Sequence, residues 1–234
     1  MSSFTASIYD LSDQFPSGVV RAVMVRSSGE MADSNLHSLT EIAASKAGFE
    51  GNVSFCTQIH SSTVVQIKSS HGEAGRCDGL LTDSPDTVLS IRVADCVPVF
   101  MHCSEKRAIG LIHAGWRGTA AGIAQEAVLK MKNSLSSPIE KLEVALGPSI
   151  RSCCYEVGSE VAENFSQECL TSSRPNHFML DLPQENRIQL EREGIPHDQI
   201  TDSSHCTCCS SLMFHSYRRD GEKSGRMICL FKLV

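Results

Sequence analysis

His60, Cys96 and His113 are the side chains of this 234-residue chain whose types and settings point most directly to chemistry. His60 ends Thr57-Gln58-Ile59-His60, just behind an apolar run at 53–55. Cys96 lies in Ala94-Asp95-Cys96, between two apolar stretches. His113 closes the apolar run 108–113 and opens His113-Ala114-Gly115-Trp116-Arg117-Gly118. Two imidazoles and one thiolate form a three-ligand zinc set with the fourth position open, as catalytic rather than structural sites have. Zinc so held lowers the pKa of a coordinated water toward ~7. The three residues follow no CxxC or HExxH spacing, so residue type alone leaves another reading open, in which each histidine is a hydrogen-bonded core residue. A metal-free alternative uses Cys96 as a thiolate nucleophile with His113 as its base. His60 separates the two, because a dyad does not need a second imidazole.

The elements that must position these residues are legible from periodicity. Residues 87–101 are rich in Val and Ile but interrupted at Ala94-Asp95-Cys96 and at Pro98. That predicts two short strands with a bend at Asp-Cys, since proline cannot donate to a central ladder. Residues 108–113 predict a strand running into a glycine-rich turn. Residues 119–133 predict a helix, with Ala120, Ile123, Ala127 and Met131 at helical spacing. Further along, 141–146 reads as a strand, 156–165 and 182–193 as helices, and Met227–Leu233 as a closing strand. The polar stretches 69–76 and 166–176 read as surface loops. Strands and helices mix without regular β-α-β alternation, which predicts an α/β layered sandwich with a mixed sheet in a single domain spanning 1–234.

Composition narrows the classes. A chain this long buries an adequate core without disulfides. A net charge of -6 argues against general affinity for nucleic acid, while leaving room for a local basic pocket that takes a phosphate-sized anion. No stretch approaches the ~18 apolar residues of a membrane span, and the first residues lack the basic start and apolar run of a secretory signal. A cytoplasmic protein is expected, its 11 cysteines mostly reduced thiols. Among them, Cys206 and Cys209 have C-x-x-C spacing near Cys208. A second, structural zinc site with Cys153 and Cys154 is disfavoured, because adjacent cysteines are awkward paired ligands.

Longer blocks carry a resemblance. Cys77-Asp78-Gly79-Leu80-Leu81-Thr82, Ala94-Asp95-Cys96-Val97-Pro98-Val99 and His113-Ala114-Gly115-Trp116-Arg117-Gly118-Thr119 resemble the core signature of the YfiH-like family. Members of that family were first called polyphenol oxidases or laccases and are understood as purine nucleoside-processing enzymes. Gly147-Pro148-Ser149-Ile150 with Cys153-Cys154-Tyr155-Glu156-Val157-Gly158 resembles a second block. Ser216-Tyr217-Arg218-Arg219-Asp220-Gly221 with Gly225-Arg226 resembles a C-terminal one. The resemblance implies one zinc on His60, Cys96 and His113. It also implies phosphorolysis of adenosine, inosine, guanosine and methylthioadenosine, with inorganic phosphate as co-substrate, and deamination of adenosine to inosine. The sequence departs from the family at Ser61, where glycine is usual, and around Val25-Arg26-Ser27-Ser28-Gly29 and Asn35-Leu36-His37.

These activities suggest further roles. Asp95, beside a ligand, is a candidate for proton transfer or support of the metal, or else caps its own bend. Arg117 is the first candidate for phosphate because a guanidinium takes oxyanions bidentately, with a helix N-terminus adding to it. Arg26 and Arg218 are further substrate-binding candidates, and Arg219 reads rather as a surface ion pair. Trp116 and Tyr155 either stack on a purine or pack structurally. A laccase reaction needs several coppers in paired His and Cys motifs, whereas the 9 histidines here are scattered. A single Cu(II) can still occupy the site in vitro and give weak oxidation.

Overall fold

The computed structural model describes residues 7–15, 18–26, 36–68 and 72–234. The first third of the chain supplies β1 (Ser7–Asp10), β2 (Val20–Arg26), helix α1 (Leu36–Lys46), β3 (Asn52–Thr57), β4 (Val64–Gln66) and β5 (Gly72–Arg76). Then follow β6 (Gly79–Thr82), β7 (Thr87–Val93), β8 (Val97–Cys103), β9 (Ala108–Ala114), α2 (Trp116–Ala120) and α3 (Ile123–Leu135). The rest comprises β10 (Leu142–Leu146), β11 (Glu156–Gly158), α4 (Ser159–Ala162), β12 (Leu170–Arg174), β13 (His177–Leu180) and α5 (Leu182–Arg192). Last come β14 (Ile200–Asp202), α6 (Tyr217–Asp220) and β15 (Met227–Leu233).

Two six-stranded mixed sheets result, ordered β1-β2-β15-β7-β3-β5 and β14-β10-β8-β9-β6-β4, with a small antiparallel sheet β11-β13-β12. Side-chain alternation along the strands creates four layers. Leu89, Ile91, Cys229 and Phe231 of the first sheet share a core with Leu80, Phe100, Ile109 and Leu111 of the second. The outer face of the first sheet, with Val88, Ile228 and Leu230, packs on Ala43, Ala44 and Ala47 of α1. The outer face of the second, with Val99, Met101 and Ile112, packs on Ala127, Val128 and Met131 of α3 and Leu190 of α5. Strands β8 and β9 are therefore buried on both faces, which is why they read as mainly apolar runs rather than as alternating ones, despite Pro98.

Several local expectations need correction. The helix expected over 119–133 is two: α2 begins at Trp116, and Gly122, at φ 75, breaks the chain before α3. Its left-handed conformation suits glycine. The helix expected over 156–165 is strand β11 followed by the four-residue α4, because Glu156–Gly158 pairs with β13. Within the two expected loops lie β12 and β5. Their polar, exposed residues carry no inward-facing pattern, and only pairing with β13 and β3 defines them. Pro98 lies inside the central strand β8. A strand residue turns its N and C=O to the same side, and Pro98 accepts there from Gly147 N–H, one residue past the end of β10. The missing donor thus breaks no ladder. Among the described residues no helix is long and apolar enough to cross a membrane.

Candidate metal centre and active site

The bend from β7 to β8 carries the chain from one sheet to the other at Ala94-Asp95-Cys96. Asp95 takes φ 83 there, a left-handed conformation that costs a non-glycine residue about 1 kcal/mol or more. Its hydrogen bonds hold it in place. One carboxylate oxygen accepts from Thr207 Oγ1 at 2.6 Å and the other from the Arg218 backbone N–H at 2.7 Å. Its carbonyl accepts the Ile150 N–H at 2.9 Å. Three distant segments are thereby tied to the residue that precedes Cys96.

His60 is delivered differently. Beyond the end of β3, the Gln58 amide donates to the Arg92 carbonyl and accepts the Arg92 N–H, both at 2.8 Å. A side chain thus continues the β3–β7 contact where backbone pairing has stopped. His60 then turns at φ 58 around the carboxylate of Asp78, which is fully buried. Asp78 accepts the N–H groups of Ile59 at 3.1 Å, His60 at 2.9 Å and Ser61 at 2.7 Å, and the Ser61 hydroxyl at 2.9 Å. That last bond is one a glycine at 61 cannot make.

Asp78 also faces His113, whose Nδ1 lies 2.9 Å away. A carboxylate only accepts, so Nδ1 carries the proton and Nε2 is left for a ligand, the arrangement that orients metal-binding histidines. Burial pushes the Asp78 carboxyl upward, but the His113 and Ser61 hydrogen bonds outweigh it and hold the group at about 2. Burial likewise raises the Cys96 thiol, yet the charge and hydrogen bond of His113, then those of His60, bring it to about 6. His113 is pulled down by burial and raised more strongly by Cys96 and Asp78, to about 9. The ring centroids of His60 and His113 are 4.9 Å apart. One ligand atom from each of His60, Cys96 and His113 lies within 4.8 Å of the others. A soft thiolate with two imidazoles at such separations fits one ion bound at Zn–N and Zn–S distances of about 2.0 to 2.3 Å. Space enforces the arrangement, since a Cβ on Gly115 would sit 2.9 Å from Cys96 Sγ and 3.2 Å from His60 Cδ2.

These ligands open into a cavity of about 590 Å³. On one wall Arg117 lies over the Trp116 ring at 4.2 Å, and on another Arg218 lies over Tyr155 at 5.1 Å. Arg92 and Arg226 bring the guanidinium groups lining the cavity to four, against the single lining carboxylate of Asp95. Burial first, then the charge of Cys96, pushes the Tyr155 phenol up to about 12, so it remains a donor at neutral pH.

Of the residues singled out from sequence, His60, Cys96, His113, Asp95, Trp116, Arg117, Tyr155 and Arg218 all line this cavity. Arg26 does not. It ends β2 beside Met227, with its Nε buried and unpaired among the described residues, and positions 27–35 of the same family block lie outside them. The helix that contains Arg117 has only five residues, so anion binding there rests on the guanidinium rather than on a helix dipole. Sequence reasoning passed over Asp78, although the Cys-Asp-Gly block contains it, and also Gln58, Arg92 and Arg226.

Known proteins resemble this chain in sequence and in fold. The family described as multi-copper polyphenol oxidoreductase laccase matches residues 27–233. The purine nucleoside phosphorylase YlmD of Geobacillus stearothermophilus is 34% identical over 189 residues, 74% of this chain and 69% of the relative. The adenosine deaminase RL5, from an unknown prokaryotic organism, is 35% identical over 156 residues. That alignment covers 64% of this chain and 59% of the relative. The crystal structure of the hypothetical protein YfiH from Bacillus licheniformis superposes with a TM-score of 0.83 at 28% identity, covering 96% of this chain and 94% of that one.

Proposed function

The chain belongs to the multi-copper polyphenol oxidoreductase laccase family, and we propose that within it this protein is a zinc-dependent purine nucleoside phosphorylase. It takes adenosine, inosine, guanosine or S-methyl-5'-thioadenosine with inorganic phosphate to the free base and the corresponding pentose 1-phosphate. One observation carries this reading: a three-ligand cluster opens into a cavity that is also lined by four arginines and by Trp116, Tyr155 and Tyr217. Its volume suits a nucleoside with a phosphate beside it. Relatives named as phosphorylases support the same choice.

His60, Cys96 and His113 would hold the zinc, which would supply Lewis acidity when bound. The chain's own residues do the rest. Arg117 and Arg218 hold phosphate through charge-assisted hydrogen bonds. A phosphate oxygen bonds to ribose C1′ as the C1′–N9 bond breaks, and its electron pair leaves with the purine. Trp116 and Tyr155 flank the base. Asp95 acts as a positioning residue, since both its oxygens are occupied, and Asp78 fixes the His113 ring. The protein acts in the cytoplasm on small molecules.

A relative named adenosine deaminase favours a second reaction in the same cavity, in which water replaces the C6 amine of adenosine and ammonia leaves. The chain Asp78–His113–Cys96 also supports a metal-free reading with Cys96 as nucleophile. His60→Ala separates that reading from the zinc one: the dyad keeps its turnover, whereas the zinc enzyme loses metal and activity together.

The deciding experiment incubates metal-analysed protein with adenosine, with and without phosphate, and resolves the products by chromatography. Adenine with ribose 1-phosphate only when phosphate is present, and inosine in either case, is the expected result. Absence of any purine nucleoside turnover by zinc-loaded protein overturns the reading.

A further inference from the structure

Far along the chain from the ligands of the active site, four thiols converge. Cys153 and Cys154 sit in the turn between β10 and β11, and Cys206 and Cys209 in the turn between β14 and α6. One sulfur from each lies within 4.8 Å of the others. Cys153 to Cys154 is 3.8 Å, Cys153 to Cys209 3.7 Å and Cys154 to Cys209 3.4 Å. The adjacency that disfavours Cys153 and Cys154 as paired ligands does not keep their sulfurs apart here. The chain curls at this point, with Cys154 and Tyr155 N–H both donating to the Arg151 carbonyl at 2.9 Å, and the curl turns both sulfurs toward Cys209.

Four sulfurs at the corners of a tetrahedron around an ion at the usual Zn–S distance of about 2.3 Å stand about 3.8 Å apart. The spacing found here is close to that before any ion is added. The two turns are already held together. Ser149 and Cys206 form a parallel bridge, with Ser149 N–H donating to the His205 carbonyl and Thr207 N–H to the Ser149 carbonyl. Arg151 clasps Asp202 through two hydrogen bonds of 2.7 and 2.8 Å. Burial raises the Cys206 thiol, but the backbone N–H groups of Cys209 and Arg151 and the neighbouring thiols outweigh it and hold the group below its ordinary value. Cys206 is buried while Cys153 and Cys209 reach the surface, so an ion has a way in.

We propose that Cys153, Cys154, Cys206 and Cys209 form a second metal site of this protein, a closed four-thiolate site for zinc or a similarly soft divalent ion. All four positions are filled by protein, so its role is structural rather than catalytic. It fastens the two turns that form the back of the active-site cavity. One of them carries Ile150 and Tyr155 into the lining. The other carries Thr207, which holds Asp95, and its Thr207 and Cys208 carbonyls accept from Arg219 at 2.9 and 3.0 Å. This inference stands independently of the proposed reaction.

The test is metal content and cobalt spectroscopy on reduced full-length protein titrated with zinc or cobalt. About two equivalents per chain are expected in the wild type. In Cys209→Ser and Cys153→Ser, whose altered side chains are exposed, about one should remain. The visible bands of tetrahedral cobalt bound by four thiolates should disappear in these variants and persist in His60→Ala, which loses the other ion. A wild type that binds one ion, lost with His60→Ala and unaffected by Cys209→Ser, overturns the proposal. So does a mass measurement showing two of these cysteines joined as a disulfide in protein prepared without oxidant.

Discussion

The Asp78 carboxylate lies 2.9 Å from Nδ1 of His113 while it also accepts the backbone N–H of His60 at 2.9 Å. One buried group therefore orients one candidate ligand through its ring and the other through its backbone. Asp78→Asn keeps the shape but presents an amide N–H to donors. The variant should bind zinc about 10 to 100 times more weakly, read by chelator competition. It should also be about 3 to 5 kcal/mol less stable. Unchanged affinity would remove Asp78 from the site.

The same residue makes a pH signature. Its folded pKa of about 2 lies below the ordinary carboxyl value of 3.8. The stability it contributes, about 2 kcal/mol, is therefore fully present above the unfolded value and disappears as pH falls through the folded one. Denaturant midpoints measured between pH 5 and 2 should drop more for wild type than for Asp78→Asn. Parallel curves would contradict the linkage.

Gly115→Ala tests crowding rather than charge. Backbone φ at this position is -78, which alanine accepts freely, so the fold should survive. The added methyl would sit 2.9 Å from Cys96 Sγ. Metal retention should fall at least tenfold, with the thermal midpoint within a few degrees of wild type, a cost of about 1 kcal/mol. Full zinc content in this variant would mean that the ligands have more room than the geometry allows.

In metal-free protein Cys96 should react as a thiolate. Its pKa of about 6 sits below the usual cysteine value of about 8.5, so alkylation should accelerate through pH 6 and level off near neutrality. His113→Ala removes the strongest influence lowering it and should move the inflection upward. An inflection above pH 8 in the wild type would dismiss the paired state.

Arg117→Ala should separate the two proposed reactions. Loss of a charge-assisted contact to phosphate costs about 1.5 to 3 kcal/mol, so kcat/KM for phosphate should fall about 10- to 150-fold. Conversion of adenosine to inosine should stay within about threefold. Equal losses would place Arg117 on the nucleoside instead.

What sequence revealed follows a physical divide. Strands β8 and β9 announce themselves because both faces are buried, and His113 could be placed at a strand end for that reason. The candidate ligands were named from residue type and family blocks, and the structure brings the three together. Asp78 was not, because its importance lies in five contacts with segments 17 to 35 residues away. Strand β12, reading Leu-Thr-Ser-Ser-Arg, looked like a loop because it lies against solvent with nothing apolar to alternate. Cys153 and Cys154 were discounted on adjacency, a local criterion, when a curl of backbone and a partner turn more than 50 positions away decide where the sulfurs meet.

The place of β15 in the first sheet has a consequence for the order of assembly. It lies between β2 and β7, and those two strands pair with it and not with each other. Until residues 227–233 have left the ribosome, the first sheet exists as two unconnected pieces. The piece that leads into Cys96 has an open edge. All three candidate zinc ligands have been translated by residue 113, yet the scaffold beneath them closes more than a hundred residues later. The nascent chain must keep that edge from other strands until β15 arrives.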